Sequence, residues 1–160
     1  MADETHDTRS LPYFSSEHEI LRTQVRRFVE TEIKPYAQAW EGTGFVPREV
    51  LRRTGKLGFL GIRYPQQYGG SEMDVLASVV MAEELGRSTF GGVAITVLVH
   101  TDMASVHIYN SGTQAIKDQL MPDIISGTKI VAVAVTEPDA GSDVKSIRTY
   151  ARRNGNEYLL

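Results

Sequence analysis

The residues best equipped for chemistry lie together in Ala134-Val135-Thr136-Glu137-Pro138-Asp139-Ala140-Gly141-Ser142-Asp143. Carboxylates, hydroxyls, a proline and a glycine follow directly on the apolar run KIVAVAV. A calcium loop needs carboxylates at alternate positions and a glycine at the sixth. Counted from Glu137, the carboxylates fall at positions 1, 3 and 7 and the sixth residue is Ser142; counted from Asp139, the sixth is Val144. Neither register suits calcium. The hydroxyls of Thr136 and Ser142 donate or accept hydrogen bonds. Gly141 permits close backbone approach. Consecutive free amides near Ala140 to Ser142 would cradle an anion such as a pyrophosphate. The carboxylates would repel that anion unless they point away, so they are read as turn formers and salt-bridge partners that hold the loop's shape. Physically, this is a loop for a polar cofactor.

Other chemistry is sparse. The chain has no cysteine, which removes disulfides, thiolate nucleophiles and Cys-ligated metal sites. No Gly-x-Ser-x-Gly elbow, phosphate-binding Gly-x4-Gly-Lys-[Ser/Thr] loop or Gly-x-Gly-x-x-Gly occurs. His6 lies in the N-terminal stretch and His18 at a polar helix start, and neither suggests a site. His100 and His107 share a helix face by spacing but have no carboxylate at ligand distance, so they are read as packing or pocket-lining residues. Glu83 is read as a partly buried carboxylate paired to a cation.

The 160 residues carry a net charge of -3, with 41% hydrophobic and 23% charged residues, a composition typical of a soluble globular protein. The mildly acidic balance argues against nucleic acid as a partner. The opening MADETHDTRSLPYF lacks a signal-peptide core, and no apolar stretch is expected to reach the ~20 residues of a membrane span. A cytoplasmic protein is expected.

The elements that must position the loop are mainly helical. Residues 1–13 read as a flexible tail. A long helix follows, with a capping box between Ser16 and Glu19 and a buried stripe of Leu21, Val25, Phe28, Val29, Ile33, Tyr36 and Trp40. Pro35 should kink or break it near Lys34. Pro47 opens a short second helix as its first residue. GFLGIRYPQQYGG reads as an ordered loop, because Phe59, Leu60, Ile62 and Tyr64 want burial. DVLASVVMAEELG makes a third helix with Leu76, Val79, Val80 and Glu83 on one face. Residues 90–112 are ambiguous between strand and helix. TQAIKDQLMPDIISG is helical with Gly127 as its stop. KIVAVAV has strand composition, and Asn154-Gly155 suits the two-residue turn of a terminal hairpin. Two units are expected, a helical domain over 14–127 and the truncated start of a β domain over 128–160. A hairpin and one strand do not make a stable β domain, so the chain reads as the N-terminal part of something larger.

The stretch Ala134 to Asp143, continued to Ser146, resembles the signature of acyl-CoA dehydrogenases at every position. GFLGIRYPQQYGGSEMD resembles that family's Gly-x-x-x-Pro-x-x-Tyr-Gly-Gly loop, and EELGRS and NGNEYLL are also similar to it. The resemblance implies a mainly α fold, in which an N-terminal helical domain leads into the first strands of a middle β domain, and it makes residues 90–110 helical. It implies FAD as cofactor, an acyl-CoA substrate desaturated between Cα and Cβ, an electron-transfer flavoprotein as electron acceptor, and a homotetramer. By this resemblance Val133, Ala134, Val135, Thr136, Glu137, Pro138, Asp139, Ala140, Gly141 and Ser142 contact FAD. Val135 and Thr136 would lie beside the flavin ring and Gly141 and Ser142 near the pyrophosphate; Val133 stands where several relatives carry an aromatic. Ser142 also touches the acyl-CoA, and Thr96, Val99, His100 and Met103 line the acyl pocket. The family's catalytic glutamate belongs to a C-terminal bundle, so no residue of this chain is assigned as the base. Flavin monooxygenases and nitroalkane oxidases share the scaffold. A non-catalytic helical interaction module is the reading from another class.

Overall fold

The stripe Leu21, Val25, Phe28, Val29 and Ile33 is buried in the computed structural model, which describes residues 12–160. It runs along α1 (Ser16–Phe28) and the π-helical turn that continues it (Val29–Ile33). The break foreseen at Pro35 takes the form of that wider turn, after which the chain resumes as α2 (Lys34–Thr43). Pro35 then sits in the first turn of α2, where its missing amide is not needed. Gly44, in the left-handed region at φ 67°, stops the helix. Tyr36, expected on the buried stripe, is 55% exposed, because the π turn rotates α2 relative to α1. Most of the foreseen tail lies outside the described residues, as does His6.

The cap of α1 is one residue earlier than Ser16 and Glu19. Ser15 is the N-cap, and His18 Nδ1 accepts its backbone N–H at 3.0 Å. His18 is buried, and its Nε2 donates to Asp74 Oδ1 at 2.8 Å. Asp74 in turn caps α4 (Val75–Gly86) by accepting from the amides of Leu76 and Ala77. A histidine read as an idle surface residue therefore joins the starts of two helices.

Pro47 is the N-cap of α3 (Arg48–Lys56), one position before the place expected. The following loop is ordered by two 3-10 turns, Phe59–Gly61 and Gln66–Tyr68, and Phe59, Leu60, Ile62, Tyr64 and Tyr68 are buried. The Tyr-Gly-Gly at its end has a steric basis. Gly69 has φ 91°, and a Cβ on Gly70 would lie 1.9 Å from the Tyr64 carbonyl oxygen. Gly70→Ala is expected to destabilise the fold by about 2–3 kcal/mol in urea denaturation, since neither backbone can yield.

On α4 the buried positions are Ala77, Val80, Met81, Glu84 and Leu85, while Val79 is 42% exposed. The predicted face is therefore off by one residue, and Glu84 is the buried carboxylate in place of Glu83. The Asp74 cap and the pairing with α1 set this phase. Leu21, Val25 and Phe28 pack with Val80, Met81 and Leu85 in the larger core, closed by the edge-on contact of Phe28 with Phe59 at 5.7 Å.

Residues 91–111 are helical throughout: α5 (Gly91–Leu98), a second π turn (Val99–Ala104) and α6 (Ser105–Ser111). This 21-residue run is long and apolar enough to cross a membrane by length and composition, contrary to the expectation that no stretch would be. Here Val93, Val97, His100, Ala104 and Ser105 are buried among the other helices. Ser105 Oγ donates to the His100 carbonyl at 2.6 Å, beside the Ser105 N–H that bonds the same carbonyl across the π turn. The turn also breaks the seven-residue relation, so His100 is buried and His107 exposed.

Helix α7 (Gln114–Ile125) is capped by Thr113 and followed by Gly127 at φ 74°. Its Met121, Ile124 and Ile125 form a second core with Tyr64 and Tyr68. Beyond it, KIVAVAV forms no strand among the described residues. A strand needs a neighbour to bond, and none lies beside it. The chain ends in a small antiparallel hairpin, β1 (Arg152–Asn154) and β2 (Glu157–Leu159). Asn154 pairs with Glu157, so the turn residues are Gly155-Asn156 and not Asn154-Gly155.

Candidate functional site

The acidic loop is closed on itself. Glu137 N–H donates to Ala140 O at 2.8 Å and Ala140 N–H returns to Glu137 O at 3.2 Å, with Pro138 and Asp139 spanning the turn. Pro138 suits the second position of such a turn because its φ is preset. Ala140 is buried at 3% exposure, whereas Thr136, Pro138, Asp139, Gly141 and Ser142 are exposed. Val133 is half-buried, and Ala134 and Val135 are exposed.

Each carboxylate has an internal partner. The two oxygens of Glu137 accept the amides of Arg148 and Thr149, each at 2.8 Å. Asp143 Oδ2 accepts from Ser146 Oγ at 2.6 Å, which fixes the short 3-10 turn Val144–Ser146. Asp139 lies 3.5 Å from the Arg148 guanidinium, an exposed and weak pair. The reading of these groups as scaffolding therefore holds in the geometry. The Thr136 and Ser142 hydroxyls and the amides of Gly141, Ser142 and Asp143 have no partner among the described residues, and all of these residues are exposed. A Cβ added at Gly141 would meet no atom within 4 Å.

Hydrogen bonds from Thr149 and the Arg148 amide hold the Glu137 carboxyl below the ordinary glutamate value. A depressed carboxylate stabilises the fold above its unfolded pKa, and this contribution is lost as pH falls through the folded one. Glu137→Ala should therefore speed hydrogen exchange at the Arg148 and Thr149 amides severalfold at neutral pH. Acidifying the unaltered protein should lower the protection of the same two amides relative to their intrinsic exchange rates at each pH.

The residues expected to line an acyl pocket are not all brought together. Thr96 borders an open cavity of about 620 Å³ whose apolar walls include Trp40, Phe45, Leu51, Val93, Ile95 and Ile130. Met103 is 50% exposed and Val99 half-buried on the same helical run, outside that cavity. His100 departs from the expectation. It is 1% exposed, with Nε2 at 3.0 Å from the Ile124 carbonyl and Nδ1 at 3.2 Å from the Val131 amide. Val131 must donate, so Nδ1 accepts and Nε2 donates. Burial pushes the imidazole below the ordinary histidine value, which keeps this neutral form. Trp40, Phe45 and Ile130 were missed as pocket residues because they lie far apart in sequence and share no motif.

Residues 15–128 match the sequence profile described as Acyl-CoA dehydrogenase, N-terminal domain. The chain belongs to the acyl-CoA dehydrogenase family. It is 40% identical over 147 residues to the mitochondrial long-chain specific acyl-CoA dehydrogenase of Rattus norvegicus, covering 92% of this chain and 34% of the relative. It superposes on the crystal structure of acyl-CoA dehydrogenase from Geobacillus kaustophilus with TM-score 0.84 and 35% identity, over 92% of this chain and 38% of that one. The Bacillus anthracis acyl-CoA dehydrogenase complexed with FAD gives TM-score 0.82 and 35% identity, over 89% and 24% of the two chains. The chain thus spans about a third of the length of the curated acyl-CoA dehydrogenase in the first of these matches.

Proposed function

We propose that the protein is an FAD-dependent acyl-CoA dehydrogenase to which these residues contribute the helical domain and one wall of the flavin site. The observation that carries the reading is the division of labour in the loop. Glu137 and Asp143 are bonded to internal partners and Asp139 leans on Arg148, while the Thr136 and Ser142 hydroxyls and the amides of Gly141 to Asp143, all on exposed residues, carry no partner among the described residues. That arrangement weakens the objection that an acidic loop repels a pyrophosphate. The donor set fits the cofactor found in the Bacillus anthracis relative.

In this reading Thr136 and Val135 contact the flavin ring and Gly141 and Ser142 the pyrophosphate, while Ser142 and the face carrying Thr96, Val99 and Met103 meet the acyl-CoA. Bound there, FAD would supply the hydride acceptor for α,β-desaturation of the thioester. The chain's own residues orient the ring and exclude water. None is assigned the α-proton: Glu84 and Glu83 are engaged by arginines and Glu137 by amides. Electron transfer to an electron-transfer flavoprotein, a homotetrameric state and a cytoplasmic location complete the reading.

The test is a spectrum and an assay on the whole protein. A bound-flavin absorbance band together with acyl-CoA-driven reduction of dichlorophenolindophenol is expected. A flavin protein that consumes oxygen but reduces no dye with any acyl-CoA would mark it as a monooxygenase or oxidase on this scaffold. A colourless protein that takes up no FAD would mark it as a non-catalytic module.

A further inference from the structure

We propose that His100 is a positioning residue for the flavin loop, acting through the Val131 amide; this rests on the FAD reading above. From Ile130 to Thr136 the backbone makes a single hydrogen bond among the described residues, from Val131 N–H to His100 Nδ1 at 3.2 Å. Regular bonding stops before it, at Lys129 N–H to Asp123 O, and resumes after it, at Glu137 N–H to Ala140 O. The imidazole is thus the polar tether between the helical domain and the run that leads into Val133 to Thr136.

The tether is rigidly built. His100 lies in the π turn, and its Nε2 is anchored on the Ile124 carbonyl near the end of α7. Its own carbonyl accepts from Ser105 Oγ at 2.6 Å, and Ser105 Oγ lies 2.7 Å from Tyr64 Oη. One ring therefore fixes three elements: the π turn that follows Thr96, the end of α7, and the segment carrying Val135. Through it the acyl-facing helix and the flavin-facing segment keep a constant offset. A one-ångström drift at such a site degrades orientation more than stability.

Asparagine and glutamine separate the two bonds. An Asn oxygen falls near the place of Nδ1 and accepts the Val131 amide; a Gln amide nitrogen falls near Nε2 and donates to Ile124. In the whole protein, His100→Gln is expected to weaken FAD binding about tenfold, the effect of one lost hydrogen bond. His100→Asn is expected to stay within about threefold of the parent. Equal FAD affinity in the two variants, or affinities that simply follow their melting temperatures, would overturn the assignment. If neither variant folds, 15N NMR of the parent decides, with the Nε2–H tautomer expected and an Nδ1–H tautomer overturning it. A parent protein that binds no FAD would instead defeat the FAD reading itself.

Discussion

Replacing Gly141 with leucine is expected to lower FAD affinity about a hundredfold, or ~2.8 kcal/mol, with the fold intact. Nothing in this chain requires a glycine there. Its φ is not in the left-handed region, and an added Cβ meets no atom within 4 Å. A surface substitution of that kind normally changes stability by less than about 0.5 kcal/mol. A leucine would project into the space beside the unpaired amides of Gly141 to Asp143, where the proposed pyrophosphate contact lies. Flavin titration by fluorescence quenching, run beside thermal denaturation, separates the two effects. Parent-like affinity in the variant would mean the loop does not approach the cofactor at this point.

The largest loss of stability is expected from Glu84→Ala, at about 3–5 kcal/mol. Glu84 is 1% exposed and grips Arg26 through two bonds, at 2.9 and 2.7 Å. Arg22, 4% exposed, stands 3.5 Å from the same carboxylate and also bonds Glu83 and Glu19. Burial opposes the charge on Arg22, but its bond to Glu83 and the surrounding carboxylates outweigh that and raise its pKa. One guanidinium nitrogen, Nη2, is already buried without a partner. Removing Glu84 would leave buried Arg22 with only Glu83 and Glu19 to offset its charge, break both bonds of Arg26, and open a gap between α1 and α4. Urea denaturation reads the change directly. A loss below about 1 kcal/mol, the value of an exposed pair, would show that Arg22 finds solvent instead.

Much of this arrangement was legible in the sequence. The stripe from Leu21 to Ile33, the ordered loop that buries Phe59, Leu60, Ile62 and Tyr64, and the helix ending before Gly127 all follow from periodicity and local backbone chemistry. The scaffolding role of Glu137 followed from the incompatibility of three carboxylates with the anion the loop was read to hold. What escaped depended on distant partners or on broken periodicity. His18 caps its own helix and bonds Asp74, 56 residues away, a link that no local pattern encodes. The buried acid of α4 is Glu84 because the face packed on α1 carries it toward Arg26, 58 residues away in sequence, and Arg22. The π turn at Val99–Ala104 hides His100 and exposes His107, although their spacing puts both on one face of a regular helix. KIVAVAV carries strand composition without strand pairing, because a ladder belongs to two segments and no second segment bonds it among the described residues.

In the proposed site the loop from Thr136 to Asp143 receives the cofactor on its unpaired donors, while Glu137 and Asp143 stay bonded within the chain. Amide hydrogen exchange of the whole protein with and without FAD tests it most directly. Strong new protection is expected at Gly141, Ser142 and Asp143 on adding FAD, with little change at Arg148 and Thr149, which Glu137 already holds. Flavin binding that leaves Gly141 to Asp143 exchanging at their free rate would contradict it.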